Sequence, residues 1–257
     1  MPELRFHKYQ GTGNDFIVID DRRGLFDQSR TDLIASWCER RFGIGADGVI
    51  LIRNHDEVDF EMVYFNPDGT QSLCGNGSRC AVKFAKTLGL VDQQCSFLAI
   101  DGVHKARIEG SLVSIRMQDV GPPARAGEDY FINTGSPHHI RLVSELSKVD
   151  VFQQGSRIRY SDQYRPDGTN VNFVQPNGKE VMVRTYERGV ENETLSCGTG
   201  VTAVALVMAH RGFDSPVSIQ AEGGNLTVSF TKRQDGSFSG IYLSGPAEKV
   251  YEGVVNY

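Results

Sequence analysis

Two cysteines of this chain stand in matching contexts, Cys74-Gly75-Asn76-Gly77 and Cys197-Gly198-Thr199-Gly200. In each, a thiol is followed by glycines and then by a run that reads as a helix. The first N–H groups of a helix have no partner within it, and with the helix dipole they attract anions. Glycine leaves those N–H groups unobstructed. A carboxylate suits such a place, and the same field favours thiolate over thiol. Two such groups of opposite protonation can invert a carbon. A thiolate takes the proton next to the carboxylate, and a thiol returns one to the opposite face. An amino-acid α-carbon is weakly acidic, so the N–H groups must also stabilise the enolate-like charge that develops, in a site that excludes water. Neither motif is Cys-x-x-Cys, which argues against a redox pair.

Inversion from two sides asks for two similar supports, and the chain repeats itself. Cys74, Gly75, Gly77 and Gly89 map onto Cys197, Gly198, Gly200 and Gly212, each 123 positions later. Gly11-Thr12-Gly13-Asn14 is similar to Asn133-Thr134-Gly135-Ser136 at an offset of 122. Tyr64, before the first cysteine, is matched with Tyr186, before the second. The order within each half is a Thr-Gly turn, strands, the cysteine motif and a helix, so duplication is predicted. Alternating or β-branched runs predict strands at 16–20, 49–52, 58–65, 112–117, 181–186, 226–230 and 240–243. A helix is predicted at 32–41 with Thr31 as its N-cap. The other two helices start after Cys74 and Cys197 and stop at Gly89 and Gly212. The first has Ala81, Phe84, Ala85 and Leu88 on one face; the second is apolar nearly all round, the mark of a buried helix. The fold class expected is α+β, with two pseudo-symmetric halves, each a strand barrel around a central helix. The first half is placed at 1–120 and the second at 121–249, with Pro122-Pro123 as linker.

The totals exclude several classes. A chain of 257 residues can bury a substantial core. Its net charge of −5, with no basic run, argues against nucleic acid as a partner. No apolar run approaches the ~18 residues of a membrane span, and the N-terminal stretch lacks the apolar segment of a signal peptide. Five scattered cysteines, an odd number, do not form a secreted disulfide framework. A cytoplasmic protein with reduced thiols is expected. Cys38, Cys80 and Cys95 have no equivalents in the other half and read as packing residues.

The chain strongly resembles diaminopimelate epimerases. The resemblance is carried by Gly11-Thr12-Gly13-Asn14-Asp15-Phe16, Gly43-Ile44-Gly45-Ala46-Asp47-Gly48, Phe65-Asn66-x-Asp68-Gly69, Cys74-Gly75-Asn76-Gly77-x-Arg79-Cys80, Asn170-x-Asn172-Phe173, Tyr186-Glu187-Arg188-Gly189 and Glu193-Thr194-Leu195-Ser196 leading into the second cysteine motif. It implies a cofactor-independent isomerase, without pyridoxal phosphate or metal, that interconverts LL- and meso-2,6-diaminopimelate on the route to lysine and peptidoglycan. It also implies a homodimer, and a C-terminal strand at 250–257 that returns to the first half. By the same resemblance, Cys74 and Cys197 match the acid/base pair, and Gly75, Asn76, Gly198 and Thr199 the N–H cradle for the reacting carboxylate. Asn14, Asn66 and Asn170 match polar substrate contacts. Glu187 and Arg188 match the far end of the substrate, an ammonium and a carboxylate that adjacent Glu and Arg can answer. His138 matches a histidine thought to tune the cysteines, with Glu187 as a second tuning group. Two positions depart: Gly48 where many members have Gln, and Ser136 where many have Asn. The alternatives are a proline or hydroxyproline racemase on the same scaffold, and an amino-acid-binding protein without catalysis.

Overall fold

The computed structural model describes residues 3–256. Met1, Pro2 and Tyr257, the last residue of the predicted terminal strand, lie outside the described residues. The chain forms two compact units. One comprises the chain up to Ile115 and again from Gly245 onward; the other runs from Arg116 to Ser244. Each is α+β, with strands wrapped around one buried helix.

The first unit contains β1 (Glu3–Gly11), β2 (Asn14–Asp20), α1 (Thr31–Cys38), β3 (Gly48–Arg53), β4 (Phe60–Phe65), α2 (Gly75–Thr87), β5 (Gln94–Ala99), β6 (Gly102–Glu109) and β7 (Leu112–Arg116). The second contains β8 (Ala124–Ala126), β9 (Asp129–Asn133), β10 (Pro137–Leu142), α3 (Val151–Arg159), β11 (Asn170–Asn177), β12 (Glu180–Glu187), β13 (Asn192–Thr194), α4 (Gly198–His210), β14 (Val217–Ala221), β15 (Gly224–Lys232) and β16 (Phe238–Pro246). The last strand, β17 (Glu248–Asn256), belongs to the first unit and pairs antiparallel with β1, from Glu3 opposite Asn256 to Gln10 opposite Glu248. Pro122-Pro123 lies inside the second unit, just before β8.

Strand pairing shows the repeat independently of sequence. Along β1 to β7 the successive partners are antiparallel, parallel, antiparallel, parallel, antiparallel and antiparallel. Along β9, β10, β11, β12, β14, β15 and β16 the same series recurs. The cysteine helix follows β4 in one unit and β12, by way of β13, in the other. The crossovers β2–β3 and β10–β11 carry α1 and α3.

Both cysteine helices are cores of their barrels. On α2, Cys80, Ala81, Val82, Phe84 and Ala85 are fully buried, in one cluster with Phe16, Ile50 and Phe97. On α4 every residue from Val201 to Ala209 is buried. A fully buried Val, Leu or Phe contributes about 1.5–3 kcal/mol, so these helices are stabilised by their surroundings rather than by propensity. Gly89 and Gly212, at φ +73 and +106, end the two helices in the left-handed region that glycine adopts without strain.

Three details depart from the sequence expectation. The first helix ends at Cys38 rather than 41, because the chain folds back there: the N–H groups of Gly43 and Gly45 bond the carbonyls of Glu39 and Trp37. Its cap position is Arg30, which makes no side-chain bond, and Thr31 is the first helical residue. Helix α3 was hidden by its Gln-Gln-Gly-Ser run. Asp150 caps it by accepting from the Gln153 N–H at 2.9 Å, and Gly155 lets it lie against Tyr186, where an added Cβ would meet the ring at 2.6 Å. Tyr64 and Tyr186 are not equivalents. Tyr64 pairs with Ile50 and faces α2, whereas in the second unit Asn172, which meets α4, pairs with Thr185. Tyr186 packs on the other side, against the α3 cluster.

Candidate active site

In the first unit Cys74 is the N-cap residue of α2, extended at φ −124 and ψ 115. Its Sγ accepts from the Gly77 N–H at 3.4 Å and donates to Asn14 Oδ1 at 3.5 Å. Asn76 Nδ2 donates to the same Oδ1 at 3.3 Å. Asn14 is held from behind: its Nδ2 donates to Asp47 Oδ2, which also accepts from the Asp15 N–H. Arg40 spans Asp47 and Asp15, both at 2.6 Å, and Lys8 pairs with Asp15 at 2.7 Å. With these hydrogen bonds, Asp15 is pulled down to about 2 although burial alone would raise it. A closed charge set therefore fixes the amide that touches Cys74. Asn66 stands in the turn after β4, where its Nδ2 donates to Thr70 Oγ1 at 2.9 Å and its Oδ1 accepts from Ser72 Oγ at 3.1 Å.

In the second unit Cys197 takes the same place on α4, at φ −115 and ψ 112. Its Sγ lies 3.5 Å from Thr199 Oγ1, which is 2.9 Å from His138 Nε2. His138 Nδ1 faces Asn172 Nδ2 at 3.1 Å. Thr134, in the second Thr-Gly turn, donates to the Thr199 carbonyl at 2.8 Å. His138 is fully buried, and burial, helped by the nearby Arg188 charge, pushes its pKa down to about 3. The ring is neutral at working pH. It touches Cys197 through Thr199.

The residues assigned to the far end of the substrate form a second group in this unit. Asn170 Oδ1 accepts from the Arg188 N–H at 2.8 Å, while its Nδ2 donates to Ser136 Oγ and to the Pro137 carbonyl, each at 2.9 Å. Asn170 thus ties the Arg188 backbone to β10. The Arg188 guanidinium reaches the Asp167 carbonyl at 3.4 Å and Ser136 Oγ at 3.5 Å. Glu187 accepts from Thr194 Oγ1 at 2.8 Å, and burial raises its pKa. The turn that carries Arg188 is braced by Glu191, which accepts from Arg159, Tyr160, Tyr186 and the Gly189 N–H.

The glycines of the two motifs serve different ends. An added Cβ at Gly200 would come within 2.6 Å of Asn172 Oδ1, and one at Gly77 within 3.3 Å of Ile50. Those two let helix and strand approach. A Cβ at Gly75 would meet nothing within 4 Å, so packing makes no demand there. At Gly48 a Cβ would strike the Tyr64 ring at 2.4 Å: the tyrosine fills the space a longer side chain would need. Cys38, Cys80 and Cys95 are buried thiols outside any disulfide, and burial raises all three, Cys38 to about 11 and Cys95 to about 12. They are not poised as nucleophiles. Sequence reasoning passed over Asp47, Asn172, Thr185 and the Thr199 hydroxyl. The signal lay in the repeat, where Phe16 and Ile50 stand at the positions of His138 and Asn172.

The family model described as diaminopimelate epimerase matches residues 6–120 and 130–250. Among curated proteins, the diaminopimelate epimerase of Flavobacterium psychrophilum is 49% identical, over 97% of this chain and 99% of the relative. That of Aquifex aeolicus is 41% identical, over 97% of each. Among solved structures, a phenazine biosynthesis protein of the PhzF family from Bacillus anthracis matches with a TM-score of 0.79 at 17% identity, covering 100% of both chains. A hydroxyproline epimerase from Agrobacterium vitis matches with a TM-score of 0.68 at 16% identity, over 98% of this chain and 92% of that one. At such identities the structural likeness establishes the fold alone.

Proposed function

Because the chain belongs to the diaminopimelate epimerase family and is an epimerase, we propose that it interconverts LL- and meso-2,6-diaminopimelate, with Cys74 and Cys197 as its acid/base pair. The observation that carries the mechanism is the repeated placement of a cysteine at the cap of a buried helix, after equivalent strands, in both units. One thiolate takes the α-proton and becomes a thiol. The pair of electrons left on carbon is delocalised into the carboxylate, stabilised by N–H groups at the helix starts, those of Gly75-Asn76 and Gly198-Thr199. The other thiol gives its proton to the opposite face and becomes a thiolate. Atoms and charge balance, and the pair ends in the protonation state that the reverse reaction needs. The cycle calls for neither metal nor pyridoxal phosphate.

The far ammonium and carboxylate are assigned to Glu187 and Arg188, with Asn14, Asn66 and Asn170 as polar contacts. The hydrogen bonds of Asn14 and Asn170 support a positioning share in that role, since each holds another site group in place. We place the enzyme in the cytoplasm, where buried thiols such as Cys80 persist, as a homodimer supplying lysine and peptidoglycan precursors. Incubation with LL-diaminopimelate in D₂O is the test. Deuterium at one α-carbon of a meso product is expected. Turnover of proline instead would move the enzyme to the racemase reading, and binding without exchange would leave a binding protein.

A further inference from the structure

The two units differ where their scaffolds are otherwise equivalent. Beneath α2, the strand positions facing Gly77 are Phe16 and Ile50. Beneath α4, the positions facing Gly200 are His138 and Asn172. Phe16 pairs with Gly48 across parallel strands as His138 pairs with Asn170, which confirms the equivalence. One barrel closes with apolar groups at this level; the other buries a histidine and an asparagine, both fully inaccessible. Packing does not require the polar pair, because the sister unit does without it.

Hydrogen-bond direction shows what the pair does. Asn172 Nδ2 donates to the His139 carbonyl at 3.2 Å, and Asn172 Oδ1 accepts from Thr185 Oγ1 at 2.9 Å. The carbonyl can only accept, so the amide orientation is fixed. Its Nδ2 then faces His138 Nδ1, which must present a lone pair. In a neutral ring the proton is therefore on Nε2, and it points at Thr199 Oγ1. With that oxygen accepting from the ring, the Thr199 hydroxyl hydrogen is left to turn to Cys197 Sγ.

Resting on the reading of Cys197 as an acid/base group, we propose that the Thr199 hydroxyl is a positioning group that donates to the Cys197 sulfur and favours its thiolate, its direction fixed through His138 by Asn172. Within its own unit the chain ends at Cys197 Sγ. At Cys74 the corresponding neighbour is an oxygen, Asn14 Oδ1, whose amide is turned by Asp47 and which accepts from the thiol. The charged groups around the relay do not compete for its protons. Burial, helped by the Arg188 charge, keeps the His138 ring neutral; Glu187 is engaged by Thr194; His139, next in the strand, is taken up by Tyr164 and Asp129. Arg79, buried in the first unit, bonds Thr12 and the Pro246 carbonyl.

The test is peptide-resolved alkylation by iodoacetamide as a function of pH, on the whole protein. In Thr199→Val the apparent pKa of Cys197 should rise by about one pH unit, a tenfold loss of thiolate below it. Thr199→Ser should restore the wild-type curve, and Cys74 should titrate alike in all three. An unmoved Cys197 in Thr199→Val, or an equal shift at Cys74, overturns the proposal. Nitrogen NMR of ¹⁵N-histidine in the unmutated protein decides the tautomer even if the variant fails to fold. A proton on Nε2 of neutral His138 is expected, and one on Nδ1 refutes the relay. Neither readout needs turnover, so failure here is distinct from failure of the epimerase assignment, which D₂O exchange tests.

Discussion

At the scale of single residues, the site is a matter of which atoms point at each sulfur. Both cysteines are N-cap residues, yet Cys74 meets a carbonyl oxygen and a backbone N–H, whereas Cys197 meets a hydroxyl. On the proposed mechanism, replacing either by alanine removes one of two proton carriers. Cys74→Ala and Cys197→Ala are each expected to lower epimerisation by about 10²–10⁴-fold or more. Binding measured by calorimetry should largely survive, since the N–H cradle remains. Appreciable turnover in either variant would remove that cysteine from the mechanism. The motif glycines separate cleanly by substitution. Gly200→Ala, which drives a Cβ against Asn172, should cost about 1–3 kcal/mol of stability in urea melts. Gly75→Ala should leave stability within about 0.5 kcal/mol while weakening substrate binding, because its open surroundings face no protein group.

At the scale of elements, the β12–β13 connection is held by Glu191. Its bonds, above all from Arg159, pull its carboxyl from 4.5 down to about 2. A folded pKa below the unfolded one means that the native state binds fewer protons. The stabilisation is present in full above about pH 4.5 and is lost as pH falls toward 2. Glu191→Gln should therefore narrow the difference in urea midpoint between pH 7 and pH 3 relative to wild type. An equal acid loss in both would show that the bracing is energetically silent. The elements that sequence predicted well are those with a strong period and strong stops, such as β3, β12 and the two cysteine helices. Helix α3 was invisible because Gly155, a poor helix former, stands in its middle, and its support comes from Tyr186 across the unit. The tyrosine correspondence went astray for a related reason. Letter matching sees identity, while a strand alternates its faces, so one position of slip exchanges core for core. The placement of Cys74 and Cys197 at helix N-caps was legible because their motif is local. The Asn172–His138–Thr199 chain was not, since its members come from three distant segments joined only by pairing and packing.

At the scale of the whole molecule, the same order of strands is used twice, but the two units close differently. The second is continuous in sequence, from Arg116 to Ser244, whereas the first takes in the chain's last strand. Along β1, Phe6 packs on Gly253, where an added Cβ would touch the ring at 2.8 Å. Truncation before Glu248 should leave β1 paired with β2 alone, expose an edge that pairs with other chains, and leave a protein that aggregates in light-scattering assays. A soluble truncated form with an unchanged melting profile would show that β17 is dispensable. The interleaving also sets a schedule on the ribosome. Domains tend to fold as they emerge, earliest first. Here the half translated later is the first to have all its strands, and the half translated first must wait, one edge open, until β17 has been made.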